Sequence, residues 1–311
     1  MMQSLKGRDL LTLGELTPEE LVTVLDRADA QKRARANARH APQPTGRSAA
    51  LIFMKPSMRT RVSFELACVD LGIHPVVLGP GDAFSRNETI HDTVKVLERY
   101  VDVIVIRTFA QADVEEIAQH ASVPVVNALT DDYHPCQVLA DLLTIRERKG
   151  FLAGLRLAYV GDGNNMANTL MIGGALAGMQ VVVASPHGFE PKERFVRDAV
   201  ELAERHGTGA SISVTTSPEE AVSGADVVVT DTWASMGQEA EHDARVRAFA
   251  GYTVTQELMA LAKPDALFMH CLPAHRGEEV LDEVIDGPHS VVFDEAENRL
   301  HAQRAWLSLV L

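Results

Sequence analysis

Residues 49–72 read A-A-L-I-F-M, then K-P-S-M-R-T-R, then V-S-F-E-L-A-C-V-D-L-G. The first six residues are apolar without alternation, the pattern of a short strand buried on both faces. Ser57 then stands where a helix N-cap belongs, and helical periodicity follows. A buried strand, a tight turn and a helix form half of a parallel βαβ unit. Arg59 and Arg61 fall in the first helical turn, where the positive end of the macrodipole favours acids. A bound oxyanion would resolve that conflict, because free backbone N–H groups, hydroxyls and a guanidinium would converge on it. A solvent-exposed basic turn is the plainer reading, and the pattern alone leaves both open.

Outward from this stretch the unit recurs. Short runs rich in Val and Ile occupy 75–78, 101–106, 123–127, 155–160, 180–184, 226–230, 266–269 and 290–293, mostly separated by amphipathic stretches. This predicts an α/β protein with two doubly wound domains, their parallel sheets flanked by helices. Thr17-Pro18-Glu19-Glu20 reads as a helix start, and 34–47 as a helix end followed by a loop. Arg148-Lys149-Gly150-Phe151 closes a helix before a new strand. The boundary is therefore expected near 150, with domains at 1–150 and 151–293. A final helix over 294–311 is expected to pack back on the first domain.

The chain has 311 residues, 46% hydrophobic and 23% charged, enough apolar material for large cores. Its formal net charge of −14 opposes non-specific binding to nucleic acid or an anionic membrane. Three scattered cysteines, Cys68, Cys136 and Cys271, give no disulfide framework and fit a reducing cytoplasm. No apolar run has membrane-spanning length, and the first residues lack an apolar signal region.

Ligands of open α/β sheets bind beyond the carboxyl ends of the strands, so the residues after each strand are the informative ones. Arg107 follows 101–106; a lone arginine there is common. His134-Pro135-Cys136-Gln137 opens the helix after 123–127. Pro135 suits the first helical position, and His134 and Gln137 would project from the same helix end. A helix N-terminus disfavours imidazolium, so a neutral, hydrogen-bond-donating His134 is one reading and a capping histidine the other. Gly161-Asp162-Gly163-Asn164-Asn165 suggests a dinucleotide turn, but position 166 is Met and the next strand ends in Ser185-Pro186 without the ribose-binding acid. The asparagines still place amides at the strand end.

Asp231-Thr232-Trp233-Ala234-Ser235-Met236-Gly237 follows 226–230, His270-Cys271-Leu272-Pro273 follows 266–269, and Asp294-Glu295-Ala296-Glu297-Asn298-Arg299 follows 290–293. Polar clusters after strand upon strand point to a cleft between two domains. Arg59, Arg107 and Arg299 would be available there for a phosphate-like group and Asp231 for an amine. H-C-L-P-A-H at 270–275 could be a metal site or a thiol and its base. No further Cys/His cluster has zinc-like spacing, and adjacent side chains on an extended segment point opposite ways, so neither is favoured. His275 is left without a role.

These motifs resemble the aspartate and ornithine carbamoyltransferases. Ser57-Met58-Arg59-Thr60-Arg61 is similar to the family's S-T-R-T-R carbamoyl-phosphate motif. His134-Pro135-Cys136-Gln137, the 231–237 segment, H-C-L-P and D-E-A-E-N-R-L-H at 294–301 resemble the ornithine branch; the aspartate branch typically has H-P-L-P. The motifs span most of the chain in the family's order.

The resemblance implies one domain for carbamoyl phosphate and one for the amino acid, in a homotrimer or a multiple of trimers with active sites near subunit interfaces. It implies transfer of a carbamoyl group to the side-chain amine of L-ornithine, giving L-citrulline, without metal or cofactor. It implies that Ser57, Met58, Arg59, Thr60, Arg107, His134, Pro135, Cys136, Gln137 and Arg299 bind carbamoyl phosphate. Asn165, Asp231, Ser235 and Met236 would hold ornithine, and Cys271 and Leu272 would lie between the substrates. Arg59, Thr60, Arg107, His134, Asp231 and Cys271 would carry the chemistry. Two departures stand out. Met58 replaces the usual Thr, and Ala83-Phe84-Ser85-Arg86-Asn87-Glu88-Thr89 lacks the family's Gln, which often reaches carbamoyl phosphate from a neighbouring subunit. The rival readings are carbamoylation of putrescine or N-acylated ornithine, a dinucleotide-dependent oxidoreductase, and a non-catalytic binding protein.

Overall fold

The computed structural model describes residues 4–37, 45–84, 88–234 and 242–311. The chain divides into two compact units, 1–143 with 297–311, and 144–296. It passes from the first to the second within one helix and returns within another.

In the first unit, helix α1 (Pro18–Asn37) precedes β1 (Ser48–Phe53), α2 (Met58–Asp70), β2 (His74–Leu78), α3 (Ile90–Leu97), β3 (Val103–Arg107), α4 (Gln111–His120), β4 (Val125–Leu129) and α5 (Pro135–Lys149). Its strands form a parallel sheet in the order β2-β1-β3-β4. Strands β1, β3 and β4 are buried almost throughout, as their unbroken apolar runs require; β2, at the edge, is largely half-exposed. Fully burying a side chain such as Leu51 or Ile52 stabilises the unit by roughly 1.5–3 kcal/mol.

The second unit runs β5 (Arg156–Val160), α6 (Asn165–Ala177), β6 (Gln180–Ala184), α7 (Glu193–His206), β7 (Ser211–Thr215), α8 (Pro218–Val222), β8 (Val227–Thr230), α9 (His242–Ala248), α10 (Gln256–Met259), β9 (Leu267–His270) and α11 (Asp282–Ile285). Its sheet is also parallel, ordered β7-β6-β5-β8-β9. Helix α12 (Val292–Val310) ends the chain.

Both strand orders reverse direction once, between β1 and β3 and between β5 and β8. Because parallel crossovers are right-handed, the helices before and after each reversal cover opposite faces of the sheet, which makes each unit doubly wound. The reversal leaves the turns after two adjacent strands diverging, and this opens a crevice at the strands' carboxyl ends. That crevice is where Ser57–Thr60 and Arg107 emerge in the first unit, and Asn164 and Asp231 in the second.

One expected strand is absent. Residues 290–293 make only a single bridge, Ser290 to Phe268, and α12 already begins at Val292 rather than at 294. The apolar run there is short and leads straight into Asp294 and Glu295, acids that favour a helix start, so its valines are buried by the helix instead. Among the described residues, no helix is long and apolar enough to cross a membrane.

Candidate active site

Each unit presents a polar cluster at its switch point. In the first unit Ser57 caps α2, its Oγ accepting from the Thr60 N–H at 3.4 Å. The cap turns the chain so that Thr60 is buried and Arg59 half-buried, while Arg61 faces outward and pairs with Glu65 one turn on (2.6 Å). Met58 is 68% exposed. The two arginines therefore separate, and only Arg59 stays with the buried side of the turn. Arg107 ends β3, where the pairing with β4 skips Ala128 and sets Arg107 opposite Leu129. Such an irregularity re-aims the side chain at the strand's end.

Arg299, 3% exposed on α12, joins three elements of this unit. Its Nη1 donates to Gln137 Oε1 (2.6 Å) and its Nη2 to Thr60 Oγ1 (3.1 Å). Gln137 in turn donates to Asp141 Oδ1 (2.8 Å), one turn along α5. Gln303, one turn beyond Arg299, accepts from Arg299 Nη2 (3.0 Å) and donates to Ser63 Oγ (2.7 Å). Asp141 and Gln303 did not stand out in the sequence; their only signal is i+4 spacing from Gln137 and Arg299.

His134 is buried just before α5. Burial first, then the positive charges of Arg299 and Arg107, hold its imidazole well below the ordinary value, so it is neutral at pH 7. Cys136 sits behind it with its thiol directed to the Asn127 carbonyl oxygen (3.4 Å), and burial pushes that thiol up to about 12. It is a packed structural thiol with no nucleophilic character. Lys55 adds a further buried cation, 4.1 Å from the Phe109 ring centroid and paired with Asp131. The cluster thus combines several cations with neutral donors, the composition that recognises an oxyanion.

In the second unit the cluster spans the ends of three adjacent strands. Asn164 follows β5 and caps α6, its Oδ1 accepting from the N–H groups of Met166 (2.9 Å) and Ala167 (3.3 Å). Its Nδ2 donates to Asp231 Oδ2 (2.9 Å). Asp231 follows β8, and its Oδ1 accepts from its neighbour Thr232 N–H (2.8 Å) and from the Cys271 thiol (3.1 Å), which follows β9. Three donors thus fix this carboxylate. With about four lone-pair sites on two oxygens, it keeps acceptor capacity for one more. Tyr159, missed in the sequence because it lies inside a strand, backs the group by donating to Asn164 Oδ1 (3.2 Å). Asn165, the first residue of α6, is half-buried beside Asn164. Ser235 and Met236 lie outside the described residues.

Gly163 is small because its backbone passes Pro191, where an added Cβ would meet the nitrogen at 2.2 Å. The glycines therefore serve close chain packing, and the dinucleotide reading loses its second support. His270 is fully buried and both ring nitrogens are engaged: Nδ1 accepts from Leu272 N–H (2.8 Å) and Nε2 lies 3.1 Å from Glu279 Oε1. Because Nδ1 accepts, Nε2 carries the proton and donates to Glu279. Asp231, His270 and Cys271 could place ligand atoms within 4.8 Å of one another, but a metal there would have to take a His270 ring nitrogen that already holds a hydrogen bond. Leu272, partly buried, sits at φ +57°, a left-handed conformation held by that bond to His270.

Known proteins resemble this chain throughout. Residues 8–147 match the model of the carbamoyl-P binding domain of aspartate/ornithine carbamoyltransferase, and residues 153–310 that of its Asp/Orn binding domain. A curated ornithine carbamoyltransferase of Carboxydothermus hydrogenoformans is 54% identical over 312 residues, covering 100% of each chain. One from Acidothermus cellulolyticus is 54% identical over 98% of this chain and 96% of its own length. The solved ornithine carbamoyltransferase from Pyrococcus furiosus superposes with a TM-score of 0.94 at 50% identity, over 99% of this chain and 98% of that one.

Proposed function

The chain belongs to the aspartate/ornithine carbamoyltransferase family, and on that premise we propose that it transfers the carbamoyl group of carbamoyl phosphate to the side-chain amine of L-ornithine, giving L-citrulline and phosphate. The observation that carries this reading is the Asp231 carboxylate, held by Asn164 and Cys271 at the end of β8 with acceptor capacity in reserve. A preoriented carboxylate suits a cationic amine donor.

In this reading the first unit binds carbamoyl phosphate. The N-terminus of α2, with Ser57, Met58 through its backbone, Arg59 and Thr60, holds the phosphate. Thr60, Arg107 and the neutral His134 donate to the carbamoyl oxygen, where negative charge grows on attack. Gln137 and Arg299 complete the set, with Pro135 and Cys136 contributing main chain at the start of α5 and Leu272 lining the carbamoyl group. The second unit binds ornithine through Asn165, Asp231, Ser235 and Met236, with Cys271 beside the amine. The amine nitrogen bonds to the carbamoyl carbon, the carbon–oxygen bond to phosphate breaks, and phosphate departs. Its second ionisation near pH 6 makes it a competent acceptor for the amine proton. Bringing the reactants together supplies a large part of the acceleration, and the bond changes require neither metal nor redox cofactor.

The chain is read as a cytoplasmic homotrimer or a multiple of trimers. Supporting self-association, Met58, Val62, Leu66 and Val69 form an exposed apolar stripe along α2, and Val76 lies exposed on the edge strand β2. Steady-state assays with carbamoyl phosphate and a panel of amines test the reaction. Citrulline formation from ornithine is expected to dominate; turnover of putrescine or N-acetylornithine with none of ornithine overturns the substrate assignment.

A further inference from the structure

His275, which the active-site reading leaves unused, belongs to a second cluster in the second unit. Its Nδ1 lies 3.7 Å from Glu278 Oε2. His242, at the start of α9, places Nε2 3.1 Å from both carboxylate oxygens of the same glutamate. The two imidazole rings stand 6.5 Å apart, edge to face, on either side of it. Ligand atoms of His275, Glu278 and Glu279 all lie within 4.8 Å of one another. We infer that His242, His275 and Glu278, with Glu279 beneath them, form a binding site for a divalent transition-metal ion of the zinc or cobalt type.

The ligand chemistry fits that class. Two imidazoles and a carboxylate favour zinc, cobalt or nickel over calcium or magnesium, which take oxygen sets. Ligand atoms about 2.0–2.1 Å from a tetrahedral ion stand roughly 3.3 Å apart. The separations of 3.1 and 3.7 Å around Glu278 straddle that value; His275, Glu278 and Glu279 already lie within reach of one ion, and the exposed His242 ring would turn inward to join them.

A second observation separates the cluster from an ordinary surface pairing of histidine and glutamate. Glu279 is fully buried, and its Oε2 has no hydrogen-bond partner among the described residues. Its Oε1 accepts from the His275 backbone N–H (2.6 Å) and from His270. An orphaned buried carboxylate oxygen is costly, and ligation of a cation would satisfy it. The three outer side chains remain reachable from solvent, with 39% (His242), 44% (His275) and 29% (Glu278) of their surface exposed. The ion would fasten the start of α9 to the segment after β9. Its ligand Glu279 is also the carboxylate that accepts the hydrogen bond from His270 Nε2.

The test is a Co2+ titration of the chelator-treated full chain carrying Cys271→Ser, which removes the thiol of the neighbouring Asp231 cluster. Saturable binding of one ion per chain is expected, with visible d–d absorption and no thiolate charge-transfer band. His242→Ala, His275→Ala and Glu278→Gln should each weaken binding at least tenfold, with folding confirmed by circular dichroism. His275→Cys supplies a positive control: it keeps a ligand and should introduce a thiolate-to-cobalt band. No saturable binding, or stoichiometry and affinity unchanged in a His242→Ala/His275→Ala double variant, overturns the site.

Discussion

At the residue scale the two clusters differ in sign and so in what they can hold. Arg299 and Arg107 stand by the neutral donors Gln137, Thr60 and His134 in the first unit, with Arg59 half-buried in the turn before Thr60, while Asp231 is the charge at the centre of the second. Arg59 leaves the first helical turn toward the buried side, whereas Arg61 spends its charge on Glu65. Arg59→Gly is expected to lower kcat by about 10²–10³-fold, the cost of losing one donor to developing charge; near-normal turnover would contradict the phosphate assignment. Asp231→Asn removes one charge-assisted hydrogen bond, about 1.5–3 kcal/mol, so ornithine KM should rise roughly 10–100-fold. Calorimetry should find carbamoyl-phosphate binding intact in that variant. For His134 the pH sign follows from its lowered imidazole. Below about pH 6.5 the unfolded chain takes up a proton that the folded chain refuses, so stability falls as pH drops, by up to about 1.4 kcal/mol per unit, and is flat above. Urea unfolding between pH 5 and 8 should show this slope reduced in His134→Asn; an identical slope would argue that other groups carry it.

At the element scale the site depends on turns that only one backbone path satisfies. Gly163 lies between β5 and Asn164, against the 189–191 backbone, and its N–H donates to Phe189 O (2.8 Å). Gly163→Ala must push these chains apart, at about 1–3 kcal/mol, and displace the Asn164 amide from Asp231. A lowered urea midpoint together with a raised ornithine KM is the expected pair of results; a loss of stability with unchanged KM would separate the turn from the site. On the other unit, the skipped residue where Arg107 meets β4 confines the irregularity to the strand end and leaves the buried strand behind it in register.

At the scale of the whole molecule, two sheets with one reversal each provide two switch points, and every polar cluster discussed lies at or beside the carboxyl ends of their strands. The apolar stripe on α2 begins at Met58, in the turn proposed to hold phosphate, so the proposed assembly and the proposed binding would share an element. Leu66→Glu is expected to shift the protein toward monomers in analytical ultracentrifugation, with activity falling in parallel. An unchanged mass would remove α2 from the subunit contact.

The sequence by itself determined the α/β architecture and marked the polar segments that follow its strands. Uninterrupted Val/Ile runs can be satisfied only by strands buried on both faces, and the polar residues that stop those runs must then lie at the sheet's carboxyl ends. The S-M-R-T-R, H-P-C-Q and H-C-L-P segments were legible because each opens directly from such a strand. What only the tertiary structure decided is which side chains meet across strands remote in sequence. Cys271 turns to Asp231, forty residues earlier, and away from the histidines beside it; His270 instead orders its own loop through Leu272 and Glu279. The 290–293 run becomes the start of a helix, since a four-residue apolar pattern carries no period of its own. His275 acquires a neighbour, His242, that no spacing in the sequence connects to it. Periodicity encodes which face of an element is buried, but the partner across that face is set by sheet order and loop path, which local sequence does not encode.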